Sequence, residues 1–156
     1  MYKQTDWWYE SLFPKNKPSG DITPKYCELS ETYISKIKTL IPNSKIIISL
    51  RNPVDREWSR VKMNLLKKQG YDDIRKINKK DILEHFKDSR QHQANDYSKL
   101  IDNWLKYFSK DQVMIFYYDE LLEDPQLLYN RICEFLNIEP VQLETLNKKF
   151  NKGIVQ

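Results

Sequence analysis

Lys45-Ile46-Ile47-Ile48-Ser49-Leu50 runs directly into Arg51-Asn52-Pro53-Val54-Asp55-Arg56-Glu57-Trp58-Ser59. The first segment is a near-continuous apolar run of strand length, the pattern of a strand in a parallel sheet. The second segment opens a helix. Asn52 suits the cap, and Pro53 suits the first helical position. Arg51 therefore stands at the carboxyl end of a strand, with Ser59 two turns along the next helix. Backbone N–H groups at such a helix start, together with the helix dipole, make an anion site. Arg51 adds a guanidinium suited to bidentate phosphate contact. At about 100° per residue, Asn52, Arg56 and Ser59 share one sector of roughly 60°. Val54, Trp58, Val61 and Leu65 fill the opposite face, which predicts an apolar side on the sheet and a polar side open to phosphate. The same residues also fit a plain helix start with Arg51 paired to a carboxylate, and by themselves they leave the two readings level.

Working outward, the pattern alternates helices with strands. Trp7, Trp8, Tyr9, Leu12 and Phe13 suggest a short helix, with the aromatic residues as buried anchors or as the lining of an acceptor groove. A loop over Pro14 to Pro18 follows. Gly20 to Thr23 has room for a short strand, stopped by Pro24. Ser30 is placed to cap a helix carrying Tyr33, Ile34, Ile37, Leu40 and Ile41, which Pro42 ends. The helix from Pro53 reaches about Lys68, and Gly70 terminates it. Ile82, Leu83 and Phe86 predict another short helix. Asp96 caps a helix whose apolar stripe is Tyr97, Leu100, Ile101, Trp104, Leu105 and Phe108. Gln112 to Tyr118 is a second strand. Asp119 to Leu122 makes a helical turn, with Asp119 and Glu120 capping and orienting it. Asp124-Pro125 opens a helix with Leu128, Ile132, Phe135 and Leu136 inward and Cys133 in the core. Pro140 to Phe150 is a last short helix. Such alternation predicts an α/β layered fold with a parallel sheet. Ligands of such sheets sit at the carboxyl ends of the strands.

Composition narrows the classes. A chain of 156 residues fits one domain with a moderate core. The net charge of +4 suits an anionic ligand but is too small and dispersed for a nucleic-acid track. Lys67-Lys68 and Lys79-Lys80 read as solvated helix ends. Cys27 and Cys133 lack metal or redox spacing, which favours a reduced, cytoplasmic setting and no metal. His85 and His92 read as surface histidines. No leader or membrane span is legible. Gly20, Gly70 and Gly153 are the three glycines, so the chain holds no Gly-x-x-x-x-Gly-Lys loop of the kinase type.

Taken in order, these segments form a recognisable series. Gly20-Asp21-Ile22-Thr23-Pro24-Lys25-Tyr26 precedes the strand and the Arg51 to Ser59 segment. Tyr97-x-x-Leu100 with Trp104-Leu105-x-x-Phe108 comes next, then Tyr118-Asp119-Glu120-Leu121 ahead of Asp124-Pro125, and finally Glu134-Phe135-Leu136. The series resembles the sulfotransferase domain that uses 3'-phosphoadenosine 5'-phosphosulfate (PAPS), most of all its bacterial branch related to heparan sulfate sulfotransferases.

The resemblance implies a three-layer, P-loop-hydrolase-like fold over residues 1–156 as a single partial domain. It implies transfer of a sulfuryl group from PAPS to a hydroxyl or amine, with a carbohydrate among the acceptors. Arg51 and Ser59 would hold the donor's 3'-phosphate. Asp21 occupies the position where the family often has a Glu acting as base, and a carboxylate within reach of the acceptor can do that work. The same Asp21 also suits a plain turn beside Gly20. Ile22 stands where the family often has a Lys. The family also has an N-terminal strand-loop-helix that cradles the 5'-phosphosulfate, which would lie upstream of Trp7. Its C-terminal loop near the nucleotide would begin at Lys152-Gly153. The expectation is thus a chain trimmed at both ends, with half of a donor site, an exposed sheet edge, and marginal stability or self-association. The competing expectation is a catalytically inactive, sulfotransferase-like module that binds nucleotide or a partner.

Overall fold

The computed structural model describes residues 11–14, 17–69, 74–87 and 96–142. A 3-10 turn over Pro24–Glu28 leads to helix α1, Glu31–Leu40. Strand β1, Ile46–Leu50, runs into helix α2, Pro53–Gln69. Helix α3, Lys79–Lys87, and helix α4, Tyr97–Leu105, follow. Strand β2 is Val113–Tyr117, continued by helix α5, Tyr118–Glu123, and helix α6, Pro125–Leu136. The expected helix around Trp7, the Gly70 stop, His92, the helix to Phe150 and the Lys152-Gly153 loop lie outside the described residues.

β1 and β2 pair in parallel, with Ile46 opposite Val113, Ile48 opposite Ile115 and Leu50 opposite Tyr117. The intervening helices supply the crossover that a parallel pair requires. The α/β class with a parallel sheet is as the alternating pattern predicts.

One core joins α1, β1 and α4. Ile34, Ile48, Leu50, Trp104 and Phe108 are buried together, with Ile37, Tyr97, Leu100, Val113 and Ile115 packed against them. Trp104 and Phe108 meet at 5.6 Å between ring centroids, a tilted contact that ties α4 to the residues beyond its end. At the amino ends of the strands a polar lock closes the layer. Lys38 Nζ donates to Gln112 Oε1 and to the Pro42 carbonyl, both at 2.8 Å, while Gln112 Nε2 donates to the Pro42 and Ser44 carbonyls. These bonds satisfy carbonyls that the turn after α1 leaves without ladder partners.

The caps follow the sequence, with one exception. Asp96 accepts from the Lys99 N–H at 3.0 Å and Asp124 from the Leu127 N–H at 2.9 Å. Ser30 stands at the start of α1, but its side chain makes no capping bond.

Four expectations need correction. Gly20 to Thr23 is not a strand. The Asp21 carboxylate accepts from the Thr23 and Tyr26 hydroxyls and closes a local turn, and Ile22 is 96% exposed. β1 is not buried on both faces, because Ile48 and Leu50 are buried whereas Ile47 and Ser49 are exposed. The apolar face of α2 divides. Val61, Leu65 and Leu66 form a second core with Ile77 and Ile82 of the α3 region, while Val54 is 75% and Trp58 39% exposed. His85 is half-buried, its ring edge-on to Phe86, and not a surface group.

Candidate functional site

The parallel register decides where the candidate residues stand. Leu50 lies opposite Tyr117, so the next residues, Arg51 and Tyr118, leave the sheet side by side at its carboxyl edge. The Arg51 guanidinium carbon sits 5.0 Å from the centroid of the Tyr118 ring, within cation–π range. The Arg51 carbonyl accepts a 2.8 Å hydrogen bond from the Tyr97 hydroxyl. One residue of the core helix α4 thus pins the point where β1 ends. Among the described residues no carboxylate pairs with the Arg51 guanidinium. Arg51 stands there as a half-buried cation on an aromatic face.

Beyond Arg51 the chain enters a capped helix start. Asn52 Oδ1 accepts from the Val54 N–H at 2.9 Å, and the Asn52 carbonyl accepts the Arg56 N–H at 2.9 Å. Asn52 is therefore a cap, and Pro53 occupies the first position, where no N–H is needed. Ser59 is exposed on the same sector as Asn52 and Arg56, about 10 Å further along the helix axis.

Asp21 belongs to the neighbouring turn. Its Oδ1 accepts from Thr23 Oγ1 at 3.2 Å and its Oδ2 from the Tyr26 hydroxyl. Both oxygens are thus engaged inside the Gly20 to Tyr26 segment. The link from this segment to α2 runs through Cys27, whose Sγ lies 3.9 Å from Arg56 Nη2 and donates to the Pro24 carbonyl at 3.0 Å. Arg56 Nη1 is 3.7 Å from Glu57 Oε1, and Arg60 Nη2 is 2.7 Å from the same oxygen. Glu57 is buried between two guanidinium groups, the pairing a buried carboxylate needs.

The sequence puts Arg51 and Asn52 at the strand–helix junction and Ser59 two turns along the helix, and β1 and α2 have these bounds. It put Arg56 on the polar sector without giving it a role. It treated Tyr97 only as core and gave Tyr118 no role. The register of two strands far apart in sequence brings Tyr118 to Arg51, and no local pattern carries that signal. A phosphate ester fits the site chemically, because the half-buried guanidinium, the capped helix start and the exposed hydroxyl of Ser59 all favour an anion. The cavity of about 290 Å³ lined by Lys110, Asp111, Val113, Arg131 and Phe135 lies at the opposite, amino end of β2. Among the described residues no cluster of His, Cys, Asp and Glu could hold a metal ion, and no helix is long and apolar enough to cross a membrane.

The parallel sheet and the strand–helix junction that carries Arg51 place the chain in the layered α/β class. The pattern of the Sulfotransferase family matches residues 4–142, and the chain belongs to that family. It is 28% identical over 139 residues to heparan sulfate glucosamine 3-O-sulfotransferase 6 of Mus musculus, covering 86% of this chain and 40% of that protein. It is 28% identical over 158 residues to the bifunctional heparan sulfate N-deacetylase/N-sulfotransferase 2 of Mus musculus, covering 93% of this chain and 18% of that one. The chain thus spans well under half the length of these relatives. A sulfotransferase from Alicyclobacillus acidocaldarius shares the fold, with a TM-score of 0.71 at 19% identity over 96% of this chain and 63% of that one.

Proposed function

We propose that this chain forms the 3'-phosphate-binding part of a PAPS-dependent sulfotransferase that moves a sulfuryl group onto a hydroxyl or amine of a carbohydrate. The observation that carries this reading is Arg51, a half-buried cation at the carboxyl edge of the sheet, stacked on Tyr118 and without a carboxylate partner among the described residues. Arg51 and Ser59 hold the 3'-phosphate, with the capped start of α2 adding N–H groups and the helix dipole. The donor brings a sulfuryl group activated for in-line displacement. Asp21 takes the proton of the acceptor group as the new bond to sulfur forms and the S–O bond to the donor's 5'-phosphate breaks, releasing adenosine 3',5'-bisphosphate, a role that requires one of its hydroxyl donors, Thr23 or Tyr26, to turn away. The carbohydrate acceptor is supported by the heparan sulfate named in the relatives. Residues 1–156 act as one unit in this reading. The free thiols of Cys27 and Cys133 suit a reducing, cytoplasmic setting.

Calorimetric titration of adenosine 3',5'-bisphosphate tests the assignment. The unmodified chain binds, and Arg51→Ala binds roughly tenfold to a hundredfold more weakly, the value of a charge-assisted contact. Ser59→Ala, which removes one neutral hydroxyl, costs about fivefold. Equal binding by the unmodified chain and Arg51→Ala, or none by either, overturns the assignment. The engagement of both Asp21 oxygens favours a second reading, a nucleotide-binding module without turnover. Sulfuryl transfer measured with this chain alone would exclude it.

A further inference from the structure

We propose that Tyr118 is a positioning residue for Arg51, holding the guanidinium at the carboxyl edge of the sheet so that it meets the 3'-phosphate already oriented. This rests on the reading of Arg51 as the phosphate grip. Three observations converge on it. The ring of Tyr118 lies 5.0 Å from the guanidinium carbon, and both groups are half-buried. The ladder places the two residues side by side, one step beyond the Leu50–Tyr117 pair. The backbone that carries Tyr118 is itself clamped. Glu120 Oε1 accepts the Tyr117 N–H at 2.7 Å, and Glu120 Oε2 pairs with Arg131 of α6. A chain of contacts therefore runs from α6 through Glu120 to Tyr118 and on to Arg51.

That arrangement solves a specific difficulty. A guanidinium waiting for an anion must be held without a carboxylate, since a carboxylate would compete with the phosphate. Glu120, two residues from Tyr118, has both oxygens engaged, with the Tyr117 N–H and with Arg131. An aromatic face attracts the cation through its quadrupole while leaving the outward N–H groups free for phosphate. Holding the long side chain in place also lowers the ordering cost at binding.

The test compares Tyr118→Phe, which keeps the ring, with Tyr118→Leu, which removes it, using two probes. Adenosine 3',5'-bisphosphate carries the 3'-phosphate, and adenosine 5'-phosphate lacks it. Tyr118→Phe binds the bisphosphate as the unmodified chain does, and Tyr118→Leu binds it about threefold to tenfold more weakly. Binding of adenosine 5'-phosphate is the same in all three proteins. Equal weakening toward both nucleotides would place the ring against the base or in general packing and overturn the proposal, as would unchanged bisphosphate binding. A second readout needs no nucleotide. In the free protein the Arg51 Nε–H resonance is shifted upfield by the ring, and it moves downfield in Tyr118→Leu but not in Tyr118→Phe. Loss of that ring shift alongside intact nucleotide binding in Tyr118→Leu would refute the positioning role while leaving the phosphate grip standing. A ring shift seen in a chain that does not bind the bisphosphate would refute both.

Discussion

Tyr97→Phe isolates the bond that fixes the end of β1. The substitution keeps the ring packed against the α1–β1–α4 core and removes only the hydroxyl that donates to the Arg51 carbonyl at 2.8 Å. A net hydrogen bond is worth about 1 kcal/mol, and a half-buried carbonyl left without a donor raises the cost toward about 2 kcal/mol. With a urea slope of about 2 kcal/mol per molar, the unfolding midpoint falls by roughly 0.5 to 1 M while the slope stays unchanged. The functional consequence is separate. The carbonyl of the phosphate-binding residue loses its tether, so affinity for adenosine 3',5'-bisphosphate falls by a few-fold, less than for Arg51→Ala. Urea unfolding followed by circular dichroism measures the first quantity, and calorimetry measures the second. If Tyr97→Phe unfolds at the same urea concentration as the unmodified chain, the hydroxyl is not holding the strand end. If stability falls and nucleotide affinity does not, the strand end and the anion site are uncoupled, and the argument linking α4 to the site fails.

Three further outcomes follow from the geometry. Asp96→Ala loses a side-chain cap and about 1 kcal/mol, lowering the melting temperature by roughly 2–4 °C, whereas Ser30→Ala, whose hydroxyl makes no capping bond, changes it much less. Ile34→Ala removes a side chain that is 1% exposed at the centre of the main core and costs about 2–5 kcal/mol by chemical denaturation; a loss below 1 kcal/mol would mean that the site collapses around the gap. The Glu120 carboxyl titrates below its usual range, chiefly because the Tyr117 N–H bonds to it and secondly because Arg131 does. Its folded value being the lower one, the carboxylate favours the fold above the ordinary Glu range, and that contribution is lost as the pH falls through the folded value. In an NMR titration, Arg131→Ala raises the Glu120 midpoint only part of the way back; a full return would make the ion pair and not the cap the dominant cause.

Local chemistry accounts for much of what was legible in the sequence. Asp96 and Asp124 cap their helices as their positions before apolar stripes imply, and Asn52-Pro53 marks the start of α2. The Ile46–Leu50 run reads as a strand because nothing in it suits a helix end or a turn. The misread parts depend on particular side-chain partners, some distant and some local. Val54 and Trp58 share the helical phase of Val61 and Leu65, yet the second core reaches only as far as Val61, because Ile77 and Ile82 pack against that end of α2. The Gly20 to Thr23 segment has residues compatible with a strand, but Asp21 bonds to Thr23 and Tyr26 and the chain closes on itself. At the candidate site, Arg51 and Ser59 were visible as a motif. Tyr118 stood in the quoted series, but its contact with Arg51 was not legible, because that contact exists only across the ladder.

The ladder also says where this chain can change length. Arg51 and Tyr118 meet because Leu50 lies opposite Tyr117, and everything between the two strands is a detour that returns to the same rung. Length changes confined to the connections between α2 and α4 leave that rung in place and spare Ser59 on α2 and the Tyr97 bond to Arg51. A single residue added within Ile46–Leu50 or Val113–Tyr117 slides one strand past the other and reverses which side chains face the core. It would also carry Arg51 away from its ring. Length variation among homologues should therefore collect in the crossover and be absent from the ten paired positions.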